Sequence, residues 1–367
     1  MISVGVNSSF DDKQRCCGCG ACASACPKKC ISMEEDQEGF LYPKIKQETC
    51  IDCGLCERVC PVIRVNSDRE FDQQGYIVQH RNDDVRKDST AGGAFTAIAQ
   101  YVISLGGVAF GAAYDERFNV HHIVVESEED LWRFRNSKYV QSRTEEAFGQ
   151  AKEYLQEGRM VCFSGTPCQI EGLKRCLRKE YENLITVDVV CHAVSSPLVF
   201  RKYVQMQGQK FGNDIGNIRF RDKHYGYQYS TMTVKDNFGK DLYAYGIDTD
   251  PMLRSFFANV CDRPSCYACQ FKKRYRVSDF TIWDCYPVYE FNKTMDDDKS
   301  TTRVLVHSEK GRKIFEKIKD GLKWHEVDPD DLTKGVKEMF YSVPISEKRS
   351  RFMEDATLLD GQELFKK

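Results

Sequence analysis

Cys16, Cys19, Cys22 and Cys26 are followed by Pro27, and Cys50, Cys53, Cys56 and Cys60 by Pro61. The chain therefore writes C-x2-C-x2-C-x3-C-P twice, a spacing that ligates two 4Fe–4S clusters, with the fourth cysteine of each run going to the other cluster. On that rule cluster one takes Cys16, Cys19, Cys22 and Cys60, and cluster two takes Cys50, Cys53, Cys56 and Cys26. Each half depends on the other for a ligand, so the two runs occur together. Gly18, Gly20 and Gly54 let the backbone wrap closely around sulfur, and Pro27 and Pro61 redirect the chain after the fourth ligand. A pair of zinc sites is the competing reading, but zinc typically uses two separated pairs rather than three close cysteines and a fourth. Cys17 and Cys30 are surplus to the pattern and read as small buried thiols.

The rest of the composition narrows the setting. Eighteen cysteines in 367 residues would suit a secreted disulfide scaffold only in a small, exported chain. Met1 to Gln14 shows no basic stretch before an apolar core, so a cytoplasmic, reducing and anaerobic setting is expected. Lys plus Arg (53) nearly balance Asp plus Glu (55), which leaves no electrostatic footprint for nucleic acid. Ala94 to Tyr114 is too interrupted by polar residues and glycine for a membrane span. The apolar set of the cysteine module is small: Ile31, Met33, Phe40, Leu41, Ile45, Ile51, Leu55, Val59 and Val62. Cluster binding must supply much of its stability.

Val65 to Gln74 is polar and reads as a linker, after which the pattern changes. Tyr76–His80, Val108–Ala112, Val120–Glu126, Met160–Phe163 and Leu184–Val190 read as strands. Phe95–Leu105, Glu145–Glu157 and Ile170–Lys179 read as helices between them. Ile218–Asp222 and Ser230–Val234 suggest an antiparallel extension, Asp279–Trp283 and Arg303–His307 later strands, and Ser308–Gly321 a helix. The expected architecture is α+β and α/β: a ferredoxin-like two-cluster N-terminal module on a mixed-sheet α/β body. Its expected divisions are residues 1–66, 75–212, 213–345 and a C-terminal tail, 346–367.

Three loops carry further signals. Ser89-Thr-Ala-Gly-Gly93 opens a helix, where backbone N–H groups could meet an anion, although a tight turn explains it equally well. Asn136 to Ser142 places Lys138 among small polar groups, and Ser164 to Ile170 lies between a strand and a helix, where α/β folds place ligands. Tyr225, Tyr227 and Tyr229 alternate, as a planar site or a half-exposed strand face would require.

Taken in order, STAGG, SKYVQS, SGTPCQIEGLK, DVVCHAVSSP, FRDK, RPSCYACQFKKR and DDDKSTTRVLVHSEKG resemble the coenzyme F-420 hydrogenase/dehydrogenase beta subunit family over about Cys16 to Gly321. Asp284-Cys285-Tyr286 departs from the D-F-W-G type stretch of many relatives. The resemblance implies a flavin-binding body that holds FAD and a third 4Fe–4S cluster. It points to Ser89, Gly92, Gly93 and Thr166 as cofactor-binding and to Lys138 as a catalytic cation beside the flavin. It points to Cys168, Cys191, Cys266 and Cys269 as the third ligand set, with Cys261 the chief rival and Cys162, Cys176 and Cys285 alternates. The implied function is an iron–sulfur flavoprotein oxidoreductase. Single electrons from ferredoxin or a redox partner subunit would reach FAD, for hydride transfer to a small organic acceptor such as the deazaflavin coenzyme F-420. The alternative is an electron-transfer subunit with no substrate chemistry of its own.

Overall fold

The computed structural model describes residues 12–63, 69–212 and 215–366. In the cysteine module, Gly20 and Gly54 occupy equivalent positions between the second and third cysteines of each run. Both are left-handed (φ 76 and 64) and open the short helices Ala21–Ala25 and Leu55–Arg58. Strands β1 (Ile31–Glu35) and β2 (Leu41–Ile45) pair antiparallel, Ile31 opposite Ile45. Most of the expected apolar set is buried, but Ile51 is exposed beside Asp52 and Cys53.

The body is built on one mixed sheet. Its strands are β3 (Gln74–His80), β4 (Val108–Tyr114), β5 (Val120–Val125), β6 (Val161–Gly165) and β7 (Leu184–Val189). A separate antiparallel sheet follows, β8 (Ile215–Asp222), β9 (Thr231–Asp236) and β10 (Asp241–Gly246), and then β11 (Phe280–Asp284), β12 (Thr302–Val306) and β13 (Leu322–Val327) return to the large one. The eight-stranded order is β13-β3-β12-β11-β7-β6-β4-β5, with β11, β7, β6 and β4 parallel at its centre. Parallel strands need cover on both faces, and the period-two pattern supplies it. Ala109, Cys162, Ile185 and Val187 face helices Ala94–Ser104 and Glu309–Ile318. Val108, Phe110, Val161, Phe163 and Leu184 face helices Glu145–Gln156 and Pro167–Leu177.

The cysteine module packs on that second helix layer. Cys19, Ala21 and Val59 share a core with Ile170 and Leu173, and Gly172 is required there because a Cβ would lie 2.9 Å from Cys19 Sγ. Bidentate pairs from Arg201 to Glu35 and from Arg349 to Glu38 fix the β1–β2 hairpin to the body.

Two expected divisions differ from the fold. The large sheet takes strands from both sides of residue 212, because β11–β13 insert beside β7 and β3, so 75–212 and 213–345 do not form separate layers. The residues expected as a tail form helices Arg349–Leu358 and Gly361–Leu364, whose Met353, Ala356 and Leu364 enter the core around Phe200 and Phe256. Of the expected linker, Val65–Asp68 lie outside the described residues. Phe71 and Gln73 pack against Tyr275 and His307 instead of running free. Among the described residues no helix is long and apolar enough to cross a membrane.

Candidate functional site

The structure brings the eight N-terminal cysteines together in two sets. Cys16, Cys19, Cys22 and Cys60 line one cavity; Cys26, Cys50, Cys53 and Cys56 line another. Each left-handed glycine turns its run so that three thiols converge, while the fourth arrives from the other run. Burial, then the neighbouring thiols Cys16 and Cys60, push the Cys22 thiol well above its ordinary pKa. Thiols so placed ionise readily only when a cation replaces the lost water, as a coordinated metal does. The two surplus cysteines are not remote. Cys30 Sγ lies 3.3 Å from Cys26 Sγ, and Cys17 lines both the first cavity and a third one.

That third cavity, about 200 Å³, lies between module and body and is lined by Cys168, Cys191, Cys266 and Cys269. Cys191 follows the end of β7, and Cys168 is the second residue of helix Pro167–Leu177 beyond β6. Ligands in α/β sheets collect at these strand ends; the neighbouring Cys17 thiol, then burial, push the Cys168 thiol well above its ordinary pKa. Cys266 and Cys269 come from the turn Pro264–Ala268 and its C-cap. Burial pushes the Cys191 thiol up to about 12, and the Lys272 ammonium opposes that shift. Lys272 also donates to the carbonyls of Cys191 and His192, pinning the loop. Four thiols around such a space fit a body of several atoms. Among the described residues, no three His, Cys, Asp or Glu side chains close in as a single-ion site. Cys261, the chief rival, is fully buried in the apolar core with Phe256 and Met353; Cys162, Cys176 and Cys285 are likewise core residues.

The residues expected around a flavin fare differently. Thr166 caps helix Pro167–Leu177, its backbone N–H bonding Gln169 Oε1 at 2.9 Å. Its Oγ1 lies 3.2 Å from Cys168 Sγ, so it belongs to the thiol cavity. Ser89 Oγ donates to the Val85 carbonyl at 2.7 Å and closes the preceding helix. A Cβ on Gly92 would meet the Val78 carbonyl at 2.3 Å and Thr302 N at 2.7 Å. Gly93 has φ +90 and rests against His80. Backbone packing between β3 and β12 thus excludes a Cβ at Gly92, and the left-handed backbone favours glycine at Gly93. Gly92→Ala should destabilise the fold by about 1–3 kcal/mol, the range for overpacking against unyielding neighbours, read as a lowered melting temperature. Lys138 Nζ donates to the carbonyls of Arg133, Arg135 and Asn136 at 2.9, 3.2 and 3.2 Å. These three carbonyls hold the Lys138 ammonium at one turn, while burial lowers its pKa to about 7 and the side chain lines a separate cavity with Tyr114 and Arg219.

Arg221, from the FRDK motif, lines a larger open space. A cavity of about 1110 Å³ opens at the ends of β7 and β11, bounded by Tyr139, His192, Arg221, Trp283, Asp284 and Tyr286. Arg221 Nη1 donates to Asp284 Oδ2 at 3.1 Å and to the Tyr139 hydroxyl at 2.9 Å, and Nη2 donates to the Tyr286 hydroxyl. Tyr227 is buried and donates to Asp284 Oδ1 at 3.0 Å; Tyr225 is exposed, and Tyr229 is on the cavity rim. The motif and the departure at Asp284–Tyr286 were both visible in the sequence, but nothing local joins them. His192 lines both this cavity and the thiol cavity, its Nε2 2.9 Å from Asn259 Oδ1. The two spaces therefore meet at His192, with Val190 on the large cavity and Cys191 on the thiol cavity.

A two-run cysteine module seated on an α/β body with a further thiol set defines an iron–sulfur redox protein. Residues 15–63 match the 4Fe–4S dicluster domain, and residues 158–331 match the family described by the C terminus of the coenzyme F420 hydrogenase/dehydrogenase beta subunit. The match to that family covers just under half of the chain, with the dicluster domain ahead of it. Among solved structures, a chain of the F420-reducing [NiFe] hydrogenase complex from Methanosarcina barkeri is similar at 14% identity and a TM-score of 0.49. The match covers 82% of this chain and 94% of that one. No curated protein matches the chain.

Proposed function

We propose that this chain is an iron–sulfur flavoprotein oxidoreductase. It takes single electrons from ferredoxin or a partner subunit and delivers them to a small organic acceptor. Its ligand sets are Cys16, Cys19, Cys22 and Cys60; Cys26, Cys50, Cys53 and Cys56; and Cys168, Cys191, Cys266 and Cys269. The observation that carries the reading is that the third thiol cavity and the large cavity meet at His192. A flavin, the family's expected FAD, would exchange single electrons on one side for a hydride on the other. The residues present fit such a group. About 1110 Å³ is ample by the usual ~300–1,000 Å³ of ligand sites. Tyr139, Trp283 and Tyr286 offer aromatic faces, and Arg221, held by Asp284, offers a fixed cation.

Anaerobic analysis of the reconstituted full chain should return about 12 iron atoms with matching acid-labile sulfide, the sum of three four-iron clusters, and one flavin. Near eight iron atoms would remove the third cluster, and full iron without flavin would leave the chain a conduit for a partner's chemistry. Cys16→Ser and Cys60→Ser should abolish the same paramagnetic signal of the reduced protein, because the fourth ligand crosses. Losses of two different signals would refute that pairing.

A further inference from the structure

Arg263 is the largest side chain with no exposed surface, and it belongs to the body's RPSCYAC motif while its guanidinium lies in the cysteine module. Its Nε donates to the Cys16 carbonyl at 2.9 Å, Nη2 to the Leu41 carbonyl at 3.0 Å, and Nη1 to Gln141 Oε1 at 3.1 Å. Nη2 also points at Cys16 Sγ, 3.8 Å away, and the guanidinium stacks 4.2 Å from the Tyr42 ring. These partners among the described residues, with the Phe40 ring 5.5 Å away, are neutral oxygens, two rings and a thiol. A buried guanidinium calls for an anion, and the group it faces becomes one when Cys16 and its three companions ionise around iron. The module's other thiol set stands in a contrasting field. The charged residues lining its cavity are Lys28 and Asp52, both exposed, and Cys50 Sγ lies 3.7 Å from Asp52 Oδ1.

We propose that Arg263 is a positioning residue that raises the reduction potential of the cluster on Cys16, Cys19, Cys22 and Cys60 above that of its neighbour. The inference rests on the ligand sets proposed above. Reduction adds one electron and no proton, so the cluster gains one unit of negative charge. A buried cation with an N–H directed at a ligand sulfur stabilises that form, whereas an exposed pair beside the other cluster is screened by water. The electron then rests on the cluster nearest the body, next to Cys17, which also lines the cavity of Cys168. Arg263 is tied to that cavity by its backbone as well, since Cys266 N donates to its carbonyl at 2.9 Å. The dicluster module is thereby given a direction, inward.

The test is a redox titration of the anaerobically reconstituted full chain, followed by paramagnetic resonance. In the parent, the signal with the higher midpoint should be the one that Cys16→Ser removes; if Cys16→Ser removes the lower one, the proposal fails. Arg263→Gln should move that midpoint to more negative potential and leave its neighbour's in place, and Arg263→Lys, which keeps the charge but not the fork, should move it less. An unchanged midpoint, or equal shifts of both clusters, overturns the proposal. If the Gln variant does not hold iron, the order of the parent midpoints and the Lys variant decide. Failure of the ligand assignment is distinguishable, because Cys16→Ser would then leave both signals standing.

Discussion

Replacing Cys266 and Cys269 together by serine should abolish flavin reduction by reduced ferredoxin while a two-electron donor still bleaches the flavin at the parent rate. Both cysteines come from one turn and face Cys168 and Cys191 across the same cavity. Two remaining thiols cannot hold a four-iron cluster, so iron should fall by about four atoms per chain. The large cavity is bounded by other elements, the ends of β7 and β11 and Arg221 of β8, so flavin should stay bound. The eight N-terminal cysteines are untouched and their paramagnetic signals should persist. Stopped-flow bleaching under argon with each donor makes the comparison. Equal ferredoxin-driven rates in variant and parent would mean that the module reduces the flavin without the body thiols. The relay reading would then be wrong even with the third cluster present in the parent.

How much of this was legible in the sequence depends on the reach of each interaction. The eight module cysteines were readable because ligation imposes a short, covalently fixed spacing, and the two cavities gather them as that spacing demands. The body thiols span Cys168 to Cys269 and had no local pattern to join them; only the family resemblance grouped them. The central strands β4, β6 and β7 were readable as short apolar runs. By contrast, β13 exposes four of its six residues as an edge strand and gives no apolar signal. Helix Pro197–Phe211 ends in a run of Gln, Gly and Lys that hides its periodicity. Buried cations were the least visible. Arg263 meets a residue 247 positions away and Arg221 one 63 away, and an arginine in sequence looks the same whether it ends in solvent or in a core. The STAGG loop shows the ambiguity of a glycine motif. Its glycines read equally as an anion cradle or a tight turn, and close approach of β3 and β12 excludes a Cβ at Gly92. A glycine motif records only that a Cβ is excluded, not what excludes it.

The largest loss of stability from one substitution is expected at Arg276. Its side chain is 3% exposed and that of Asp188 is 2%, with Arg276 Nη1 bonded to Asp188 Oδ1 at 3.0 Å. The same oxygen accepts from Thr281 Oγ1 at 2.6 Å, and that hydroxyl lies 2.7 Å from His307 Nε2. Arg276 also donates to the Val189 carbonyl at 3.0 Å and to the Lys273 carbonyl at 2.8 Å. The pair thus fastens the ends of β7 and β11 to the segment that follows the cysteine turn. Arg276→Met would leave the carboxylate in the core with no cation, and breaking a buried pair from one side costs about 3–5 kcal/mol. Asp188→Asn added to Arg276→Met removes the stranded charge and should recover a substantial part of that loss, since the uncompensated ion rather than the missing bond dominates. Thermal melts of the three holoproteins, at one iron loading, provide the readout. A single variant as stable as the parent, or a double variant no better than the single, would show that water or another cation reaches Asp188 and that this joint does not hold the site together.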